Sequence, residues 1–301
     1  MLAIARYALK GPIHAATVAG ILALLSLFIP LLSILSGAIV GLIILTQGLI
    51  SGTRVILVSI VGITVVSYLL THSLLMGITI GLVQWLPLMV LAEILRRTRS
   101  ISFTLVVGMG LAMIVAALQF VLWPDAEAIW LSFLKVLFQD YQQQPGVDVE
   151  QLNAALQNVV HWMTLMLVAV MYSTFVGTLM AGRWFQARLA DSQGFREEFY
   201  AIRLGKGAAV ATLVLIVISL ALQQDWISAL LMVMLATFLY QGLAILHSWS
   251  KHYGKHMPLV LVYVTMIIFP QVVGVLALLG VVDNWIDFRK RFKSVPVNTD
   301  E

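Results

Sequence analysis

The sequence predicts an all-α protein, a polytopic bundle of transmembrane helices with roughly eight to ten membrane segments and an external amphipathic helix. Three observations predict this class. Hydrophobic residues make up 61% of the 301 residues, charged residues make up only 11%, and the mean hydropathy is +0.99. A soluble domain carries about 25% charged residues, so this composition excludes a water-soluble globular enzyme. We predict a single membrane domain over residues 1–301.

The N-terminal helical half covers residues 13–123. A helix needs about 20 apolar residues to cross the hydrocarbon core of a bilayer. The uncharged stretch 13–52 is twice that length and has Pro30 near its middle, so it predicts a tight helical hairpin. Three further apolar stretches, separated by short polar or basic segments, predict one span each: 55–70, 74–95 and 101–123.

The segment 124–158 differs from the rest of the chain in its charge. It carries five acidic residues, and Lys135 is its only Lys or Arg. Apolar and aromatic residues in its first half recur at helical spacing on one face: Ala126, Trp130, Phe133, Leu134, Leu137 and Tyr141. This pattern predicts an amphipathic helix that lies on the outer membrane–water interface.

The C-terminal helical half covers residues 159–282. Its first span continues a helix that begins near Val149, and it ends near Gly182. The loop 183–206 is rich in arginine and could hold anionic lipid headgroups, but the bias of cytoplasmic loops toward Lys and Arg alone also explains it. Three further apolar stretches follow, and the last has Pro270 in its middle: 207–222, 226–246 and 258–282.

The distribution of charge orients the chain, because cytoplasmic loops carry an excess of Lys and Arg. We place the N-terminus and three basic loops in the cytoplasm of a bacterial inner membrane: 96–99, 183–206 and 247–257. The acidic segment 124–158 then lies outside. Nine simple spans would put the basic tail 283–301 outside. We predict instead that the last stretch folds back at Pro270, or that an earlier segment is re-entrant. The tail is then cytoplasmic, and residues 283–292 form an interfacial helix.

Polar side chains inside the spans suggest a small-molecule pocket. Buried amides must find hydrogen-bond partners or line a wet cavity. We name four residues as its candidate lining: Gln84, Trp85, Tyr240 and Gln241. The alternative is that these side chains form hydrogen bonds between helices of the same chain.

Small residues repeat every four positions along the first apolar helix. Ala15, Ala19 and Ala23 share one side of it, where another helix can approach closely. Two hypotheses explain this face. It packs within this chain, or it receives a membrane protein partner.

Several chemistries are excluded by what the sequence lacks. It has no Cys, no metalloprotease, nucleophile-elbow or P-loop motif, and no charged residue at the centre of a span. We therefore predict no catalytic residue, no metal site, no cofactor and no enzymatic activity. His247, His252 and His256 are expected in a solvated loop. The net charge of +4 indicates membrane orientation and a lipid partner, not nucleic-acid binding.

Two regions of the sequence resemble a known family. The first contains Gln-Trp-Leu-Pro at 84–87 and the basic run 95–100. The second contains residues 242–247 and a closing Gly-x-x-Asp-x-x-x-Asp-x-Arg pattern at 280–289. Together they resemble the YybS-like family of bacterial inner-membrane proteins, a domain of unknown function. That family is distantly similar to the substrate-binding components of energy-coupling-factor transporters.

The resemblance implies a partner-binding role for the first helix. Those components use an Ala-x-x-x-Ala face to meet a transmembrane coupling subunit, and Ala15, Ala19 and Ala23 match that spacing. The leading hypothesis is a non-enzymatic substrate-binding or transport-associated subunit that works with membrane partners. The alternative is a structural protein that supports envelope assembly without a small-molecule ligand.

Overall fold

The computed structural model describes residues 1–144 and 146–293. Every regular element within these two ranges is an α-helix, which confirms the all-α prediction. Six helices precede the acidic segment: α1 Leu2–Ala8, α2 Pro12–Leu25, α3 Leu31–Gln47, α4 Leu49–Thr71, α5 Leu74–Thr98 and α6 Ile101–Leu122.

The helices that follow lie in the acidic segment and in the C-terminal half. They are α7 Ala126–Leu137, α8 Gln139–Gln142, α9 Val149–Leu189, α10 Gly194–Tyr200, α11 Lys206–Leu222, α12 Asp225–Tyr253, α13 Met257–Ile268, α14 Gln271–Ile286 and α15 Phe288–Lys293. The start of α9 at Val149 and the start of α7 agree with the sequence prediction.

Two prolines divide the long apolar stretches, as predicted. Pro30 is the N-cap residue of α3, and Pro270 is the N-cap residue of α14. Proline has no N–H to donate, and its ring clashes with the carbonyl four residues earlier, so a helix ends before it. Gly48 separates α3 from α4 with φ +91°, a conformation that favours glycine.

Five helices in the described part of the chain are long and apolar enough to cross a membrane: α4, α5, α6, α9 and α12. Five others are apolar but have only 10–17 residues: α2, α3, α11, α13 and α14. The predicted count of eight to ten segments would therefore need some of these shorter helices besides the five full-length candidates. Helix α9 has 41 residues, which is roughly 60 Å and twice the thickness of a hydrocarbon core.

Helix α3 lies at the centre of the fold. All ten residues from Ser36 to Leu45 are buried, because α2, α4, α5 and α9 pack around them. A helix that is apolar all round is suited to this position, since it presents no polar face to either lipid or its neighbours.

The small-residue face of α2 is covered by the same chain. Ala15 and Ala19 are fully buried, and Ala23 is 1% exposed. The Ser36 hydroxyl of α3 donates to the carbonyl of Ala19 at 2.7 Å, and α4 packs along the same helix. Helices α3 and α4 therefore occupy the face that was expected to meet a membrane partner. This arrangement matches the other hypothesis, in which the face packs within the chain.

Helix α7 has no buried residue and packs on α9. On the predicted apolar face, Phe133 and Leu137 are 59% and 65% exposed, whereas Ala126, Trp130 and Leu134 are half-buried. The helix ends at Leu137, and Tyr141 of the predicted face lies in α8.

Two predicted loops contain more helix than expected, and the predicted tail helix is interrupted. The basic loop 183–206 includes the end of α9 and all of α10, and the loop 247–257 is helical as far as Tyr253. The predicted interfacial helix 283–292 does not form as one element. Asp283 belongs to α14 and is buried, and Asp287 breaks the helix with φ +50°. Residues 294–301 of the predicted tail 283–301 lie outside the described residues.

Helices α12 and α14 cross at two glycines. A Cβ on Gly242 would overlap the carbonyl oxygen of Leu276, and a Cβ on Gly280 would overlap that of Phe238. The two backbones are thus in direct contact, which only glycine permits. Gly280 opens the closing motif that was noted in the sequence.

We predict that Gly280→Ala lowers the midpoint of thermal unfolding in detergent. The added methyl group must push α14 away from α12, and overpacking of this kind costs on the order of 1–3 kcal/mol. Gly274→Ala on the same helix, α14, is the matched control, because a Cβ at Gly274 would have no atom within 4 Å. A Gly280→Ala protein as stable as the Gly274→Ala protein would contradict the close crossing.

Candidate functional site

Two of the four predicted pocket residues lie on α5 and form hydrogen bonds to α3. The Gln84 amide nitrogen donates to the carbonyl of Ser33 at 3.2 Å, and the Trp85 indole donates to the Ser36 hydroxyl at 3.3 Å. Trp85 is fully buried. Gln84 also lines a cavity of about 390 Å³ between α3, α5 and α9.

The other two predicted residues lie on α12. The Tyr240 hydroxyl donates to the carbonyl of Ser173 at 2.6 Å and lines a second, larger cavity. Gln241 is fully buried; its side chain accepts from the Leu204 amide at 2.9 Å and donates to Asp283 at 3.0 Å. Gln84 and Tyr240 therefore lie against different cavities, and the four residues do not form one pocket.

The closing motif forms what we call the C-terminal clamp: Arg203, Gln241, Asp283, Asp287 and Arg289. Besides Gln241, Asp283 accepts from the Phe288 amide at 3.0 Å. The Arg289 guanidinium donates to the carbonyl of Ile202 at 2.8 Å and lies 3.7 Å from Asp283. These contacts attach the loop between α10 and α11 to the end of α14.

A second ion pair lies beside the buried one. Arg203 donates to Asp287, and Lys290 lies 3.3 Å from the same carboxylate. The hydrogen bond from Arg203 lowers the pKa of Asp287 below its usual value. Burial lowers the pKa of Arg289, and the Asp283 carboxylate opposes that effect. The motif Gly-x-x-Asp-x-x-x-Asp-x-Arg thus has a structural role at the end of the chain.

A cleft of about 940 Å³, larger than the cavity beside Gln84, is what we call the basic cleft. It lies between the C-terminal ends of α9 and α12, the short helix α10 and the start of α13. Its aromatic wall consists of Trp184, Phe195, Phe199, Tyr200, Tyr240 and Tyr263. The ring of His247 stands between these side chains, with ring centroids 5.3 Å from Phe199 and 5.9 Å from Tyr263.

Three cations line the basic cleft: Arg188, Arg196 and Lys251. Arg188 lies 5.9 Å from the ring centre of Trp184, and Lys251 lies 5.5 Å from that of Tyr200. None of the described residues that line the cleft is acidic.

Arg183, next to the cleft, differs from these cations because a carboxylate holds it. Arg183 is held by two hydrogen bonds to Glu198, at 2.5 and 3.0 Å. Arg188 and Lys251 instead lie over aromatic rings, and such contacts leave N–H donors available.

Two imidazoles complete the polar lining. The Nδ1 atom of His247 lies 2.8 Å from the carbonyl of Leu243. The Ser250 hydroxyl donates to the carbonyl of Lys255, so its oxygen is free to accept from Nδ1 of His256 at 3.2 Å. Both rings therefore have one nitrogen engaged in the scaffold, which fixes their orientation at the edge of the cleft.

A separate cluster joins three helices at the acidic end of the molecule. Nδ1 of His161 lies 3.0 Å from Glu127, and Nε2 lies 3.9 Å from Asp225. These are donor types that bind metal ions, and they lie within 4.8 Å of one another. The two carboxylates face opposite nitrogens of one ring, however. The cluster therefore connects α7, α9 and α12 through one imidazole ring.

Residues 17–284 match a protein family described as a predicted membrane protein, DUF2232. The match spans 268 of the 301 residues, from residue 17 to residue 284. The chain belongs to this family. No curated protein and no solved structure matches it. The matched range of DUF2232 contains all residues of the basic cleft and Asp283 of the C-terminal clamp, but neither Asp287 nor Arg289.

The sequence contained only part of the signal for the basic cleft in this DUF2232 protein. The sequence indicates anionic headgroups for the arginines in 183–206, but it assigns Tyr240 to a pocket shared with Gln84. It does not indicate the aromatic residues of α10 or the lysine of α12, because they come from predicted loops about 50 residues apart. The recurrence of aromatic residues within the basic loops was the available signal.

We predict that Asp283→Asn destabilises the DUF2232 fold. Gln241 and the Phe288 amide both donate to Asp283, so the new amide nitrogen would place a donor against one of these two donors. Arg289 would also lose its counter-charge. Breaking a buried pair costs on the order of 3 kcal/mol, so the midpoint of thermal unfolding in detergent should fall. Asp140→Asn, at an exposed position, should leave it unchanged. Equal midpoints for the two variants would show that the C-terminal clamp does not hold the fold.

Proposed function

We propose that this DUF2232 protein is a non-enzymatic, ligand-binding subunit of the bacterial inner membrane that takes part in transport. The basic cleft is the observation that carries the proposal. Its volume of about 940 Å³ lies within the range of small-molecule sites, which combine aromatic walls with a few placed polar groups.

The composition of the cleft suits the binding of an anion with an apolar body. Its cations can bind the anionic group, and its aromatic rings can contact the apolar body. We propose a non-enzymatic role because none of its described lining residues is a carboxylate that could orient and polarise one of the two imidazoles, as in a catalytic triad.

We propose a topology of eight to ten membrane segments with the basic cleft in the cytoplasm. The five long and five shorter apolar helices supply ten candidate segments. Arg96, Arg188 and Arg203 mark one end of the molecule, and Glu127 and Asp225 mark the other, so the positive-inside rule supports this orientation. The N-terminus is then cytoplasmic and α7 is external. The Arg203–Asp287 pair supports a tail on the same side as the cleft.

The resemblance to YybS-like proteins, and through them to substrate-binding components of energy-coupling-factor transporters, supports a binding role. We propose that membrane partners take part in transport. We do not assign their contact to Ala15, Ala19 and Ala23, because α3 and α4 of the same chain cover that face.

A structural role in envelope assembly is the second candidate. The hydrogen bonds of Gln84 and Trp85 favour it, since these polar groups join α5 to α3. The two candidates differ in whether the protein retains a ligand.

Native mass spectrometry of the protein purified in mild detergent separates them. We predict that the wild-type protein retains a non-protein mass and that Ala181→Trp, which fills the basic cleft, loses it. Val170→Trp is the matched control on α9, because Val170 does not line the cleft and is 59% exposed. A wild-type protein that retains no such mass, even when extracted with its native lipid, would favour the structural role.

A further inference from the structure

We propose that the basic cleft and the apolar groove beside it form one site for an amphiphile with a phosphate-type headgroup and an apolar chain. This inference rests on the proposed binding function and names the class of its ligand. The headgroup lies among the cations of the cleft, and the chain lies in the groove.

The apolar groove has a volume of about 340 Å³ and lies between α12, α13 and α14. Apolar and aromatic side chains line it: Ile245, Leu246, Trp249, Pro258, Leu259, Val262, Leu279 and Phe288. Leu259 lines both the groove and the basic cleft. The two spaces therefore adjoin at the first turn of α13. One is lined by charged groups and the other by apolar groups, and an amphiphile likewise combines a charged headgroup with an apolar chain.

The cations favour a phosphate-type group. Arg188, Arg196 and Lys251 come from three different helices, α9, α10 and α12, and line the same space. Guanidinium and ammonium groups form their strongest hydrogen bonds to phosphate and carboxylate oxygens. Because none of the lining residues within the described part of the chain is acidic, an anion bound there would compensate the positive charge of the cleft.

The position of α13 gives access from the bilayer. The helix has no buried residue, and its outer side chains are exposed, with Met257 at 78% and Ile267 at 82%. Gly254, with φ +64°, precedes it, and Pro270 follows it. These exposed apolar side chains place α13 where lipid chains can reach the groove beside it. A water-soluble anion would have no use for that groove.

The test measures ligand retention by native mass spectrometry with three probes: dioleoyl phosphatidic acid, dioleoyl phosphatidylcholine and inorganic phosphate. We expect phosphatidic acid to bind at least about tenfold more tightly than phosphatidylcholine, and inorganic phosphate not to bind. Arg188→Ala and Lys251→Ala should each weaken phosphatidic acid binding about tenfold, the typical cost of one charged hydrogen bond. Arg54→Ala removes an exposed cation outside the cleft and should have no effect.

The groove is tested separately on α13. Val262→Trp fills the groove and should weaken phosphatidic acid binding while Val264→Trp, on an exposed position that does not line it, should not. Equal binding of the two lipids, or an equal loss in Arg54→Ala, would overturn the headgroup assignment. Binding of inorganic phosphate as tight as that of the lipid would overturn the amphiphile. If the purified protein still retains another mass in the basic cleft, the proposed function stands and only this inference fails.

Discussion

The absence of water inside the hydrocarbon core is the constraint on which the rest of the structure depends. A polar group buried there must find its partner within the protein, because no solvent replaces a missing hydrogen bond. Trp85, Gln119 and Tyr172 meet this requirement by donating to a hydroxyl or a carbonyl on a neighbouring helix. Each such bond also fixes the relative position of two helices, so these three side chains hold the fold together.

The same constraint moves the charged groups to the two ends of the molecule. At one end, Glu127, His161 and Asp225 join α7, α9 and α12. At the other end, the C-terminal clamp attaches the loop after α10 to α14, and the basic cleft opens beside it. Helices α9 and α12 extend past the apolar core to form this cleft, and their unusual lengths of 41 and 29 residues therefore have a role in the proposed function.

Hydropathy predicted the helices well because it is a local property. The ends of α5 and α6 and the breaks at Pro30 and Pro270 follow from residues within one or two turns. Long-range packing could not be predicted in this way. The small-residue face of α2 packs either on a partner protein or on α3, and the outcome depends on which helix lies nearest to it after folding. The basic cleft combines α9, α10, α12 and α13, and only their assembled positions bring Arg188 and Lys251 to one cavity. Of the four residues proposed as a pocket, Gln241 instead holds the C-terminal clamp.

The segregation of charge is tested most directly by labelling single cysteines, since the native chain has none. Ser132 lies on α7 at the acidic end, and Ser192 lies at the edge of the basic cleft; both are exposed. In cells whose outer membrane is permeabilised, a membrane-impermeant maleimide should label Ser132→Cys at once. It should label Ser192→Cys only after the inner membrane is opened. Labelling of Ser192→Cys in cells with an intact inner membrane would contradict a cytoplasmic basic cleft and the orientation derived from charge.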